Sequence, residues 1–136
     1  DMIKQIAHIC ITANDLAETE AFYCDGLGMT RRFEFRKDDA QFGYYLEVGG
    51  TTFIEVFQGQ APGTDGGIRH MCLETDDIDA LIARLDEKGI AHNDKKLGAD
   101  QSWQVWVTDP NGVKIEFHQY TDNSSQRTGR VCEVNW

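Results

Sequence analysis

The chain has 136 residues, enough to bury one core and too few for two independent domains of ordinary size. Hydrophobic residues at 40% and charged residues at 26% exclude a disordered, collagen-like or coiled-coil chain. With 13 Lys and Arg against 23 Asp and Glu, the formal charge is −10, which repels phosphate backbones and anionic membranes. Nucleic acid and membrane are therefore not expected as partners, and the lack of a charged-then-apolar leader pattern predicts a cytoplasmic protein.

In chain order, residues 6–11 alternate as a strand, with Ile6, His8 and Cys10 on one face, and Asp15-Leu16-Ala17-Glu18 then opens a helix as a capping box that stops near Gly26-Leu27-Gly28. Period-two runs follow at 32–36, 44–48 and 52–57, the last two flanking Gly49-Gly50 as a hairpin. Residues 59–67 hold Pro62 and four glycines and read as a linker. A second strand starts at His70. Asp76 and Asp77 can cap a helix carrying Ile78, Leu81, Ile82 and Leu85, which stops at Lys88-Gly89. A weak strand is expected within 91–96, then strands at 102–108 and 113–119 around Asp109-Pro110-Asn111-Gly112. The polar, then partly apolar tail 121–136, with Val131, Cys132, Val134 and Trp136, is expected to pack loosely.

An internal repeat organises these elements. The segment from His8 to Leu16 lies over that from His70 to Ile78, with His, Cys and Asp recurring at fixed positions. The expected architecture is α+β: one domain over residues 1–120 made of two βαβββ modules, 3–58 and 68–120, forming a cupped mixed sheet.

Strand parity puts His8 and Cys10 on one face, His70 and Cys72 on another, Phe53, Glu55 and Phe57 together, and Lys114, Glu116 and His118 together. Each module thus offers one His from its first strand and one Glu from its fourth. The separation is 47 residues from His8 to Glu55 and 46 from His70 to Glu116. Because Glu55 lies five residues past Gly50 and Glu116 four past Gly112, the two turns must differ if both carboxylates face the same way. Two imidazoles and two carboxylates suit one divalent ion, Zn, Ni, Co, Mn or Fe(II), with positions left for water or substrate. A rival site of His8, Cys10, His70 and Cys72 leaves the repeated Glu without a role, and residues two apart on a strand rarely reach one metal. The thiols are expected to be reduced and to serve as small buried packing residues. Lys114 and His118, with Phe53 and Phe57, are candidates for holding substrate; Trp103 and Trp106 fall on opposite faces of one strand.

Residues 20–29, Glu-Ala-Phe-Tyr-Cys-Asp-Gly-Leu-Gly-Met, are similar to an FYxxxLGM signature, and residues 109–117, Asp-Pro-Asn-Gly-Val-Lys-Ile-Glu-Phe, to a DPNG-x-x-IE segment. On these, the chain resembles the vicinal oxygen chelate superfamily of glyoxalase I, epimerases, fosfomycin-resistance enzymes, extradiol dioxygenases and bleomycin-binding proteins, over about residues 3–120. The resemblance implies metal ligands at His8, Glu55, His70 and Glu116, and a glyoxalase I-like isomerase or lyase working through an enediolate on a small α-hydroxycarbonyl or hemithioacetal. It implies catalytic roles for Glu116, as general base, and Glu55, as ligand or opposite-face proton donor, in a homodimer whose site is completed within one chain or across two. Thr12 and Gly59 stand where glyoxalase I carries a glutathione-anchoring Arg and Asn, which argues against glutathione dependence. An Fe(II) dioxygenase and a metal-free antibiotic- or metabolite-binding module are the alternatives.

Overall fold

The computed structural model describes every residue except 1, 3, 64, 67, 135 and 136. Ile3 at the start of the first expected module, Thr64 and Gly67 of the linker, and Trp136 of the tail lie outside the described residues. The described residues form two compact units, one within 1–63 together with 109–112, the other within 64–108 and 113–136. The fold is α+β, with one four-stranded sheet in each unit.

The first unit holds β1 (His8–Ala13), α1 (Leu16–Glu20), β2 (Thr30–Lys37), β3 (Ala40–Glu47) and β4 (Phe53–Gln58). Asp15 caps α1 as the sequence predicts, its side chain accepting the Glu18 N–H at 2.9 Å. α1 passes into a π-helical turn, Ala21–Gly26, which ends before Gly28 at a φ of 84°. The strand order is β1-β4-β3-β2, with β1 and β4 parallel. Ile11, Ala13, Leu46, Ile54 and Val56 fill the covered side of this sheet, and Tyr44 reaches from β3 to bond the Leu16 carbonyl at 2.8 Å.

The second unit repeats the scheme with β5 (His70–Glu74), α2 (Ile78–Glu87), β6 (Lys96–Leu97), β7 (Trp103–Thr108) and β8 (Lys114–Gln119). Asp77 caps α2 through Ala80 N–H at 3.0 Å, and Gly89 ends it at a φ of 69°. The order is β5-β8-β7-β6, again with the first and last strands of the module parallel. The weak strand is only two residues long, because 91–95 lacks the apolar alternation that would hold it on the sheet. Met71, Ile78, Leu85, Val105, Ile115 and Phe117 form the core between α2 and the sheet.

The tail does not pack loosely throughout. Ser124 is fully buried: its Oγ accepts from Thr121 N–H and from Ser102 Oγ, each at 2.8 Å, and donates to the Gln101 carbonyl at 3.0 Å. This anchor starts α3 (Ser125–Thr128) on the second unit. Three hydrogen bonds on one buried hydroxyl outweigh the polar composition from which a loose terminus was expected.

Candidate metal centre

Parallel pairing of the first and fourth strands brings each His beside its Glu. In the first unit His8 pairs with Phe53 and Cys10 with Glu55; in the second His70 pairs with Lys114 and Cys72 with Glu116. The registers are identical although the turns before β4 and β8 differ. The first closes with Val48 and Gly49 N–H on the Thr52 carbonyl, the second with Gly112 N–H on the Asp109 carbonyl, so the one-residue offset is taken up in the turn and both carboxylates face as the imidazoles do.

His8 Nε2 lies 3.6 Å from Glu55 Oε1, and His70 Nε2 lies 3.9 Å from Glu116 Oε1. Both separations exceed a hydrogen bond. Ligand atoms held about 2.1 Å from one cation lie roughly 3 to 4 Å apart unless trans, so each pair fits two ligands of a shared ion. The imidazoles are open, at 41% and 44% side-chain exposure, whereas the carboxylates are sunk to 16% and 11%. Among the described residues no Lys or Arg forms an ion pair with either carboxylate, whose ion-pair partners are histidines.

The pairs are supported differently. In the first unit the Tyr45 hydroxyl lies 3.1 Å from His8 Nδ1 and within hydrogen-bonding influence of Glu55, and so ties the imidazole to its carboxylate neighbour. Burial and the charge of Glu55 push the Tyr45 phenol up, keeping it protonated. In the second unit no tyrosine does this; the Trp106 ring meets His70 edge-on, 4.9 Å between centroids. Here Glu116 has a second neighbour instead: His118 Nε2 lies 3.1 Å from Oε2, and both residues are buried, at 8% and 9% exposure. Glu116 and His118 stand two apart on β8, and both side chains are long enough to lean together.

The cysteines also depart from expectation. Cys10 and Cys72 are exposed on the ligand face and do not pack the core, and all four cysteines are free. Burial of the sulfur and the neighbouring Glu116 push the Cys72 thiol up to about 12; the same causes, with Glu55, raise Cys10 less. Cys72, Glu116 and His118 bring their ligand atoms within 4.8 Å of one another.

The substrate candidates separate. His118 and Glu116 line a cavity of about 220 Å³ with Lys96, Gln104, Cys132 and Val134. Lys114 lines another, of about 270 Å³, with Arg69, His70 and Trp106. Trp106 lines this cavity, while Trp103 packs under the Lys95 ammonium at 4.5 Å. Phe53 and Phe57 flank Glu55 in an aromatic wall across the first sheet: Phe33 stacks on Tyr45 at 4.5 Å, Tyr45 meets Phe53 at 5.4 Å, and Phe35 meets Phe57 at 5.1 Å. Phe33 and Phe42 keep 45% and 38% of their surface open, an apolar patch on the sheet that carries His8 and Glu55.

Residues 5–117 match the model of the Glyoxalase/Bleomycin resistance protein/Dioxygenase superfamily. The chain belongs to this superfamily. It is 31% identical over 125 residues to the protein YaeR of Escherichia coli K12, spanning 86% of this chain and 97% of YaeR. Among solved structures it is similar to a glyoxalase family protein of Enterococcus faecalis, at 25% identity and a TM-score of 0.75, covering 87% of this chain and 99% of that one. It also shares its fold with TnmS3, an antibiotic-binding protein from Streptomyces, at 22% identity and a TM-score of 0.71, covering 88% and 98%. In this glyoxalase-superfamily chain, sequence reasoning missed Tyr45 and gave Cys132 no role at a site. Tyr45 is legible only once β3 is paired with β4, and Cys132 sits outside the repeat; strand parity singles out Trp106 with Trp103, but its neighbour His70 follows only from strand pairing.

Proposed function

We propose that His8, Glu55, His70 and Glu116 together hold one divalent metal ion, and that the protein is a metal-dependent isomerase or lyase of glyoxalase I-like type, cytoplasmic and homodimeric. Its substrate is a small α-hydroxycarbonyl or hemithioacetal. The observation that carries this reading is the repeated pair of an open imidazole and a sunken carboxylate on adjacent parallel strands, 3.6 and 3.9 Å apart. His8, Glu55, His70 and Glu116 would hold the ion, and the chemistry it would supply is Lewis-acid polarisation of substrate oxygen, which acidifies a neighbouring carbon-bound proton.

The chain's own residues do the rest. Tyr45 orients His8, and the aromatic wall of Phe53 and Phe57 excludes water from one side of Glu55 while receiving an apolar substituent. Glu116 is the carboxylate that moves the proton, since it is the deeper of the two and its second oxygen is steered by His118. Glu55, without such a partner on β4, serves as ligand.

Metal affinity of His8→Ala and Glu55→Ala, by competition with a chelating dye, tests the site: both are expected to weaken binding at least tenfold while circular dichroism stays native. Unchanged affinity in both overturns it. Solvent deuterium entering the carbon next to the substrate carbonyl supports the isomerase or lyase; Fe(II)-dependent oxygen consumption with a catechol favours the dioxygenase instead. The open aromatic patch favours a second reading, a module that sequesters a planar metabolite, and tight ligand binding by metal-stripped protein would establish it.

A further inference from the structure

We infer that the second module carries a metal site of its own, in which Cys72 Sγ, Glu116 and His118 bind a borderline thiophilic divalent ion such as Zn²⁺. The site does not rest on the four-residue set, with which it shares only Glu116.

Three observations point to it. The ligand atoms of Cys72, Glu116 and His118 lie within 4.8 Å of one another, so closing on one tetrahedral zinc, whose donors are roughly 3.5 Å apart, takes side-chain adjustment and no backbone rearrangement. The two oxygens of Glu116 face different neighbours, Oε1 toward His70 and Oε2 toward His118, so the carboxylate presents a separate edge to this trio. The cavity that Glu116 and His118 line also receives Cys132 from the tail, which brings a second thiol to the space where a fourth ligand or an exchangeable water belongs.

The repeat supplies the contrast. Cys10 and Glu55 pair across β1 and β4 as Cys72 and Glu116 pair across β5 and β8, but Phe57 stands on β4 where His118 stands on β8. The first module therefore has two of the three ligands and an aromatic ring in place of the third. Mixed sulfur, nitrogen and oxygen donors select zinc over magnesium, calcium or manganese, which prefer oxygen alone.

Cobalt(II) titrated into the full chain is the probe, because a thiolate ligand produces an intense near-ultraviolet sulfur-to-cobalt charge-transfer band that nitrogen and oxygen ligands do not. The wild type is expected to show the band, and so are Cys10→Ser and His8→Ala, which leave the trio intact. In a Cys132→Ser background, which is expected to keep the band through Cys72, further change of Cys72→Ser or His118→Phe is expected to lose it with unchanged circular dichroism. Cobalt binding with no charge-transfer band in the wild type overturns the inference, as does a band that survives Cys72→Ser in the Cys132→Ser background. Failure of the four-residue set, by contrast, shows as unchanged metal affinity in His8→Ala and Glu55→Ala.

Discussion

The Tyr23 hydroxyl donates a 2.7 Å hydrogen bond to Asp109 Oδ2, and in doing so ties together the two most specific sequence signatures of the chain. The π-helical turn places the phenol among core side chains, and the loop 109–112 belongs to the same unit. Burial and the charge of Asp109 push the phenol well up, so it remains the donor throughout the ordinary pH range. Asn111 completes the join, accepting from Asn14 N–H at 2.8 Å and donating to Thr19 Oγ1 at 2.9 Å. Tyr23, Asp109 and Asn111, the residues of these motifs that join them, are thus structural, whereas Glu116 of the second motif lies on β8.

Tyr23→Phe is accordingly expected to cost about 1.5–3 kcal/mol, the range for removing a hydrogen bond to a charged acceptor, because the buried Asp109 carboxylate loses the phenol's hydrogen bond. Urea denaturation reads the loss. A change under about 0.5 kcal/mol, ordinary for a surface site, would show that the bond carries no weight.

Gly43 is fixed by what lies across from it. It pairs with Phe57, and a Cβ there would meet the Val56 carbonyl oxygen at 2.4 Å and the Phe57 ring at 2.6 Å. The ring has somewhere to move, but the backbone oxygen does not. Gly43→Ala is expected to destabilise by about 1–3 kcal/mol, as overpacking does, and to weaken metal binding by displacing β4, which bears Glu55. Native stability together with native metal affinity would refute this account of the strand spacing.

The elements and the module plan were legible in the sequence because capping boxes, terminal glycines and alternation are local signals, and all of them are repeated. Asp15, Asp77, Gly28 and Gly89 act at the positions read for them. The His and Glu faces were legible for the same reason, since parity depends only on the strand. What was not legible depends on lateral pairing: Tyr45 under His8, Trp106 against His70, and the lean of His118 onto Glu116. Cys10 and Cys72 were misread because apolar neighbours suggest burial, while parity puts the thiols on the face the core does not cover.

His92 gives a pH dependence of defined sign. Its Nδ1 faces the Asn93 carbonyl and its Nε2 faces Asp86 Oδ1, each at 2.7 Å, and these, the carbonyl first, raise its pKa above the ordinary histidine value. A raised folded-state pKa means that the contribution is full below the unfolded value of about 6.5 and is lost as pH climbs through the folded one. His92→Gln is expected to lower the melting temperature more at about pH 5.5 than at about pH 8.5. An equal drop at both would remove the charged form from the account.

Tyr45 separates a metal-orienting role from mere packing. Its ring stacks on Phe33 and meets Phe53, contacts that Tyr45→Phe preserves, while its hydroxyl alone reaches His8 Nδ1. Without that contact the imidazole is free to rotate and to change tautomer, and aiming Nε2 at the ion then has an entropic cost. Such supporting partners are worth about 10–100-fold in metal affinity, so Tyr45→Phe is expected to weaken binding by about tenfold with unchanged thermal stability. The equivalent change in the second unit, Trp106→Phe, removes no hydrogen bond to His70 and is expected to shift affinity far less. Equal losses in the two variants would mean that ring packing, not the hydroxyl, orients the ligands.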